Sequence, residues 1–389
     1  MNTHCYIIGK SLVCNLGQTK EVITTNIKNL SQENYENFLE QQFEEKVFYS
    51  IKDFSNSDSN RFFDILKKVI DDALKDASLS INEKEDLHIF IGSTSMGVSI
   101  NEEQNRKFHD KISENELSSI GYGYIGSYVE QYINSKYKSL LVSTACTSSI
   151  NALNHASKLI VHKKIKKAIV IGIELFNKST YNGFSSFMLL SQSNIYRPFD
   201  DRSDGIILGE ACSAVVLSSE KKRESDFEYL SSSNICDNYS ETTSDITGKP
   251  ILQCLEKTIE NANIKLNEID LIKAHATGSE NNNTSESNAL NSLFKKWNHK
   301  PKVTALKPYI GHTLGASGTN ELIILLYCIE KNFFPACLGF ENSIKDMLFR
   351  PITEHLEISN KVNILLNFVA FGGNNSSIII SNKSEHVYT

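Results

Sequence analysis

Apolar positions along the chain fall into helix-like and strand-like registers, and the order in which the two alternate occurs twice. A helix-period set runs through Phe62, Leu66, Val69, Ile70 and Ala73 and ends near Lys75-Asp76-Ala77. It continues through Ser78 to Glu83 into a strand-like run, Leu87-His88-Ile89-Phe90-Ile91-Gly92. The same order returns near Pro250, where Ile251, Leu255 and Ile259 mark a helix and Ile269-Asp270-Leu271-Ile272 the strand behind it. Ala77, Leu79, Ile81, Asn82 and Glu83 match Ala262, Ile264, Leu266, Asn267 and Glu268 in order and spacing. An internal repeat of this kind decides the architecture before any local reading does.

The two copies stay in step downstream. Leu140-Leu141-Val142-Ser143 leads into small residues and a helix at Thr144 to Ser149, while Val303-Thr304-Ala305-Leu306 leads into Gly311 to Gly318. Each copy closes on a Gly-led strand, Gly209 to Leu217 in the first and Gly372 to Ile380 in the second. Cys146 precedes its closing glycine by 63 positions and His312 precedes its own by 60. Buried-type strands such as Ala168 to Ile173 between helical segments predict an α/β protein with mixed or parallel sheets covered by helices. Two related halves are expected, residues 1–225 and 226–389, with the polar stretch Ser218 to Thr247 read as a surface connection between them.

The 389 residues carry 40 Lys+Arg against 46 Asp+Glu, a formal charge of -6, with no long basic block. That balance excludes a nucleic-acid backbone or an anionic membrane surface as the expected partner. No apolar run approaches the ~18 residues that span a bilayer, and no basic cluster precedes the first apolar stretch, so a cytoplasmic protein is expected. The 8 cysteines are dispersed, form no CxxC pair and lack metal-site clustering, so no metal is expected and most are read as reduced core thiols.

Cys146 stands apart from the others. It follows an apolar strand and opens a helix marked by Ile150, Leu153, Leu159 and Ile160, a setting that predicts an accessible thiol whose thiolate the helix end favours. A nucleophilic thiol needs a base or donor near neutral pH, and histidine is the usual one. His275 ends a strand in Lys273-Ala274-His275-Ala276-Thr277, and His312 begins a helix in Gly311-His312-Thr313, so the repeat sets both on the rim equivalent to Cys146. His4, His88, His109, His155, His162, His299, His355 and His386 lack such a setting.

With these residues in place the chain resembles the β-ketoacyl-[acyl-carrier-protein] synthases of the thiolase-like condensing-enzyme superfamily over nearly its full length. Ile7-Ile8-Gly9 to Leu16-Gly17 resembles the opening strand and loop, Gly183-Phe184-Ser185 to Leu190-Ser191 the segment before Arg197-Pro198-Phe199-Asp200, and Asp204-Gly205 and Gly209-Glu210 follow as in the family. The resemblance implies a duplicated thiolase-like fold in α-β-α-β-α layers and a Cys-His-His site of the elongating subclass. Cys146 matches the acylated nucleophile, His275 and His312 the two histidines, and Lys307 and Glu286 the charged support. Thr277 and Ser279 match hydroxyls on the pantetheine arm, and Phe371 the gate residue whose amide joins that of Cys146 in an oxyanion hole. No separate cofactor is implied, because acyl and malonyl thioesters arrive on the phosphopantetheine of an acyl carrier protein, and a homodimer or a heterodimer with a related subunit is implied.

Two departures bear on specificity: the family's His-Gly-Thr reads His275-Ala276-Thr277, and its Phe-Gly-Phe-Gly-Gly reads Val369-Ala370-Phe371-Gly372-Gly373. Both are expected to reshape the acyl pocket, which fits a polyketide or aryl-polyene role at least as well as fatty-acid elongation. Gly92-Ser93-Thr94-Ser95-Met96-Gly97 follows a strand but lacks the Lys-Ser/Thr of a phosphate loop. Lys163-Lys164-Ile165-Lys166-Lys167, Arg61, Lys67 and Lys68 are candidate carrier-docking residues or else solvated faces. A non-catalytic chain-length-factor-like subunit would be expected to lack the nucleophile, and a Cys-His thioester hydrolase would not need two histidines with Lys307 and Glu286.

Overall fold

The computed structural model describes residues 4–43, 47–52, 54, 58–108, 120–359 and 361–383. His109 and His386 lie outside the described residues. The first copy contributes strands β1 (Tyr6–Cys14), β2 (His88–Gly92), β3 (Leu140–Val142), β4 (Lys167–Glu174) and β5 (Ala211–Ser218). The second contributes β6 (Phe227–Cys236), β7 (Leu271–Lys273), β8 (Lys302–Thr304), β9 (Asn363–Ala370) and β10 (Asn374–Ser381). These ten form one sheet in the order β8-β7-β9-β10-β6-β1-β5-β4-β2-β3, joined at its centre by the antiparallel pairs Tyr6 with Glu228 and Ile7 with Phe227. Read outward from that joint, each strand of one copy meets its counterpart at the same rank in the other.

The helices that place the site are α1 (Asp58–Asp76), α2 (Tyr122–Ile133), α3 (Ser148–Val161), α4 (Lys178–Ser186), α5 (Lys249–Asn261), α6 (Glu280–Trp297) and α7 (Ser317–Glu330). Alternation along the strands sorts their side chains to opposite faces. Ala168 and Val170 of β4 join a central core with Leu153 and Ile160 of α3, Leu322 and Ile329 of α7, and Ile364, Leu366 and Phe368 of β9. Ile169, Ile171 and Ile173 of β4 face the other way, onto Leu66, Val69 and Ile70 of α1 and Val129 of α2. In the second copy Ile272, Leu365 and Ile379 pack on Leu255 and Ile259 of α5 and Leu290 of α6. The layers are therefore α1/α2, half-sheet, α3/α7, half-sheet, α5/α6, the α-β-α-β-α order expected.

The start of α3 is packed where side chains leave no room. A methyl group on Gly92 would sit 2.2 Å from Ser149 Cα, and one on Gly318 would sit 2.4 Å from Ile150 N. Both glycines allow backbone contact that a Cβ would forbid.

One expectation needs correction. The stretch read as a surface connection contains β6, a ten-residue strand at the middle of the sheet whose first seven residues are buried. Its serines are satisfied inside: Ser231 Oγ donates to Thr258 O at 2.6 Å, Ser232 Oγ lies 2.7 Å from Tyr229 Oη, and Asn261 Nδ2 donates to Ser233 Oγ at 3.2 Å. Composition read these hydroxyls as solvated, whereas partners from α5 and from β6 itself replace water.

Candidate active site

Cys146 stands in a tight turn between β3 and α3. Ala145 takes a left-handed φ of 51°, an uncommon state for a residue with a Cβ. Ser148 pins the turn, accepting from Thr144 N at 2.9 Å and donating to Ala145 O at 2.6 Å. The thiol is only 6% exposed. His312 is fixed by its backbone, donating to Ile207 O at 2.8 Å and accepting from Gly209 N at 3.1 Å. Its Nε2 lies 3.1 Å from Cys146 Sγ, and its Nδ1 lies 3.0 Å from the hydroxyl of Ser317, the first residue of α7.

His275 leaves the end of β7 with its amide donating to Glu286 Oε1 at 2.7 Å, and the next amide, Ala276, donates to Oε2 at 2.7 Å. Asn367 Nδ2 donates to the same carboxylate at 2.6 Å. Lys307 Nζ donates to His275 O at 2.6 Å and to Glu321 Oε1 at 2.7 Å, and stands 3.2 Å from His275 Nδ1. An ammonium has no lone pair to offer, so Nδ1 accepts and Nε2 carries the imidazole proton. The two imidazole rings lie 5.4 Å apart at 85°.

Burial, then the positive charges of Lys307 and Lys273, hold His312 well below the ordinary imidazole range. The same causes, with His312 added, do so for His275. Both are neutral at pH 7. Burial likewise pushes the Cys146 thiol up to about 12, against the pull of Lys307 and of the backbone amides of Phe371 and Cys146. The expected exposed, thiolate-favouring position is thus corrected: the thiol is buried and protonated, and desolvation outweighs the helix end. Glu286 is also held above the ordinary carboxyl range by burial, opposed by its three donors.

Cys146, His275 and His312 line one cavity of about 390 Å³, with Thr277, Ser279 and Phe371 on the same wall system. Thr277 Oγ1 and Ser279 Oγ are 3.0 Å apart, and Ser279 is also the N-cap of α6. Phe371 stacks on Phe184 with centroids 5.9 Å apart and an interplanar angle of 17°. Lys307 and Glu286, both 0% exposed, sit behind His275 rather than in the cavity wall. Among the departures, Val369 lines the cavity but Ala276 does not: it is fully buried among the residues packed on α5 and α6, with a φ of 47°. Its methyl therefore fills core, and the expectation that it reshapes the pocket is corrected.

The basic candidates fare differently. The Lys163 to Lys167 run follows the far end of α3, a helix of 14 residues and so ~21 Å from the thiol. Arg61 is turned inward, donating to Glu210 and to Ile51 O at 3.0 Å, and Lys68 pairs with Asp72 at 2.8 Å. Lys67 sits 3.7 Å from Asp64. The Gly92 to Gly97 loop holds not a phosphate but an internal carboxyl group: Glu174 at the end of β4 accepts from Ser93 Oγ at 3.1 Å and from Ser95 N at 3.3 Å. Among the described residues no group of His, Cys, Asp and Glu is placed to hold a metal, and no helix is long and apolar enough to cross a membrane.

Sequence reasoning missed Glu321, Lys273, Ser317 and Phe184. Glu321 heads the apolar run Leu322 to Ile329 and Lys273 sits inside Leu271-Ile272-Lys273-Ala274, so each sets a charge against an apolar run, a signal of buried pairing that only the fold resolves.

Two family models match the chain, the beta-ketoacyl synthase N-terminal domain over residues 16–223 and its C-terminal domain over residues 228–341. The chain is 29% identical over 259 residues to 3-oxoacyl-[acyl-carrier-protein] synthase 2 of Coxiella burnetii, covering 63% of this chain and 62% of that protein. It is 28% identical over 349 residues to the chloroplastic 3-oxoacyl-[acyl-carrier-protein] synthase II of Arabidopsis thaliana, covering 81% of this chain and 61% of that protein. The matched region spans about three fifths of the length of these relatives. A chain from the ketosynthase and chain length factor complex of Xenorhabdus doucetiae superposes with a TM-score of 0.81 at 21% identity, covering 97% of this chain and 98% of that one. That likeness establishes the fold, and the matched domains establish the lineage: this chain belongs to the beta-ketoacyl synthase family.

Proposed function

We propose that the chain is a β-ketoacyl-[acyl-carrier-protein] synthase, an acyltransferase that condenses an enzyme-bound acyl group with malonyl carried on an acyl carrier protein. The observation that carries this is the 3.1 Å contact of Cys146 Sγ with His312 Nε2 in a cavity that His275 shares. In loading, Cys146 gives its proton to His312 as sulfur attacks the acyl thioester, and the carrier leaves as its thiol. The Cys146 and Phe371 amides, which reach the sulfur, are placed to stabilise the tetrahedral oxyanion, ~3 to 4 kcal/mol for one such donor. In condensation, malonyl thioester loses carbon dioxide, and the enolate oxygen takes donors from His275 Nε2 and His312. The carbanion then attacks the acyl carbonyl, Cys146 departs as thiolate while product forms on the carrier, and a proton from water restores the resting thiol. Thr277 and Ser279 are the hydroxyls offered to the pantetheine arm, Phe371 is the gate, and no cofactor beyond that arm enters the scheme.

A partner subunit of the same fold, identical or related, is part of this reading. At the cavity α4 buries none of its residues, and Phe187 and Met188 behind it are 70% and 85% exposed. Apolar groups left open beside a site favour a second protein surface over them.

Intact-mass measurement after incubation with an acyl-carrier thioester tests the scheme. Wild type gains the acyl group, and Cys146→Ala does not, with condensation falling at least about a thousandfold. His275→Ala loads normally and fails at decarboxylation, whereas His312→Ala loses both because it also takes the thiol proton. Free acid released without malonyl-dependent product would instead indicate a hydrolase. Loading that survives in Cys146→Ala would remove the nucleophile from the scheme.

A further inference from the structure

Behind His275 lies a closed group of charges with one more cation than the scheme above uses. Lys273 and Lys307 are both fully buried, and Glu321 bridges them: Oε1 accepts from Lys307 Nζ at 2.7 Å and Oε2 from Lys273 Nζ at 2.6 Å. The Lys273 ammonium also stands 3.5 Å from the centroid of the Phe368 ring. A buried lysine needs a strong reason to persist, since desolvation of an ammonium costs several kcal/mol before any pairing. Glu321 alone would satisfy Lys307 with both oxygens. Lys273 takes one of them, so Lys307 is only half-compensated and turns its remaining donors on His275.

We propose that Lys273 is a positioning residue for His275: by dividing Glu321 between two lysines it leaves the positive charge behind the ring under-compensated, with Lys307 Nζ turned toward Nδ1, and so keeps His275 in the neutral form that presents its Nε2 proton to the cavity. The charged and titratable groups that bear on His275 are accounted for by element. They are Lys273 on β7, Glu286 on α6, Lys307 before the second rim, His312 beside it, Glu321 on α7 and Cys146 before α3. Removing one of the two cations lowers the repulsion that an imidazolium would meet and gives Glu321 wholly to Lys307. Both changes make His275 easier to protonate. Burial brings Lys273 down to about 8, which agrees with a cation held near its limit.

The inference rests on the condensation reading for its consequence, but its direct readout does not. Histidine-labelled protein is titrated by NMR and the His275 signal assigned through His275→Gln. In Lys273→Met, which keeps an apolar stem against Phe368, the His275 midpoint rises by on the order of one pH unit. The acid limb of malonyl-carrier decarboxylation moves upward by the same amount, while the rate on the alkaline plateau stays within about twofold. Lys273→Gln, which retains a donor to Glu321 without the charge, shifts the midpoint upward by less and serves if Lys273→Met does not fold. A lowered melting temperature with an unmoved His275 midpoint overturns the proposal, as does failure of both variants to fold, since either makes the lysine a structural member only. A shifted midpoint in a protein that never decarboxylates malonyl thioester would retain this inference and reject the activity.

Discussion

At the scale of single residues, the sulfur and the two imidazoles were legible because the repeat placed a thiol and two histidines at matching strand ends. Their protonation was not. A helix end and a burial effect compete at Cys146, and only coordinates reveal that the thiol is 6% exposed and pushed up to about 12. The consequence has a definite sign. A group whose pKa is raised stays protonated longer as pH climbs, so its reactive thiolate keeps growing well past the ordinary cysteine range. With the exposed Cys236 replaced by serine, alkylation of Cys146 by iodoacetamide should rise about tenfold per pH unit between 7 and 10. A plateau near 8 would mean that His312 and the helix end win after all. Glu321 escaped notice for a related reason: in the sequence it follows the polar start of α7, and its two lysines come from positions 48 and 14 residues away.

At the scale of elements, regular apolar periodicity found α1, α5, β2 and β4, since each buries a face that its residue types announce. The Ser-rich β6 carried no such announcement. Its hydroxyls are satisfied by α5 and by Tyr229 of β6 itself, and partner positions of that kind are absent from a local window. The start of α3 is the element that decides the chemistry, because its contact with Gly92 and Gly318 sets how near Cys146 comes to His312. Gly92→Ala should therefore destabilise the fold by ~1 to 3 kcal/mol, the usual cost of overpacking. It should also slow acyl loading more than it slows decarboxylation by the histidines. Calorimetry and intact-mass loading rates give the two numbers, and unchanged loading with lowered stability would detach the helix seating from the reaction.

At the scale of the whole molecule, the two outermost strands of the sheet are not treated alike. On β8, Ile352 N donates to Val303 O at 2.9 Å, and Thr304 Oγ1 reaches Pro335 O at 2.6 Å, so a later segment covers that margin. On β3 no residue is buried, Leu140 is 41% exposed, and Tyr122 and Tyr124 of the neighbouring α2 are 47% and 50% exposed. An open apolar edge invites strand pairing unless something occupies it. Sedimentation velocity should show the wild type as a dimer, alone or with a related subunit supplied, and Leu140→Lys should shift it toward monomer at micromolar concentration. A wild type that stays monomeric with every candidate subunit would discard the dimer reading. Sequence periodicity supplied the strand but not its freedom, because exposure of an edge depends on which later segment crosses it.

The pseudo-twofold sheet has one more implication. Thiol and imidazoles sit on opposite sides of the short reversal between Ser218 and Phe227, so a single peptide cleavage there would leave the thiol on one fragment and both imidazoles on the other. Any turnover that persisted after such a nick would measure how firmly the fragments recombine, which turns product formation into a gauge of assembly.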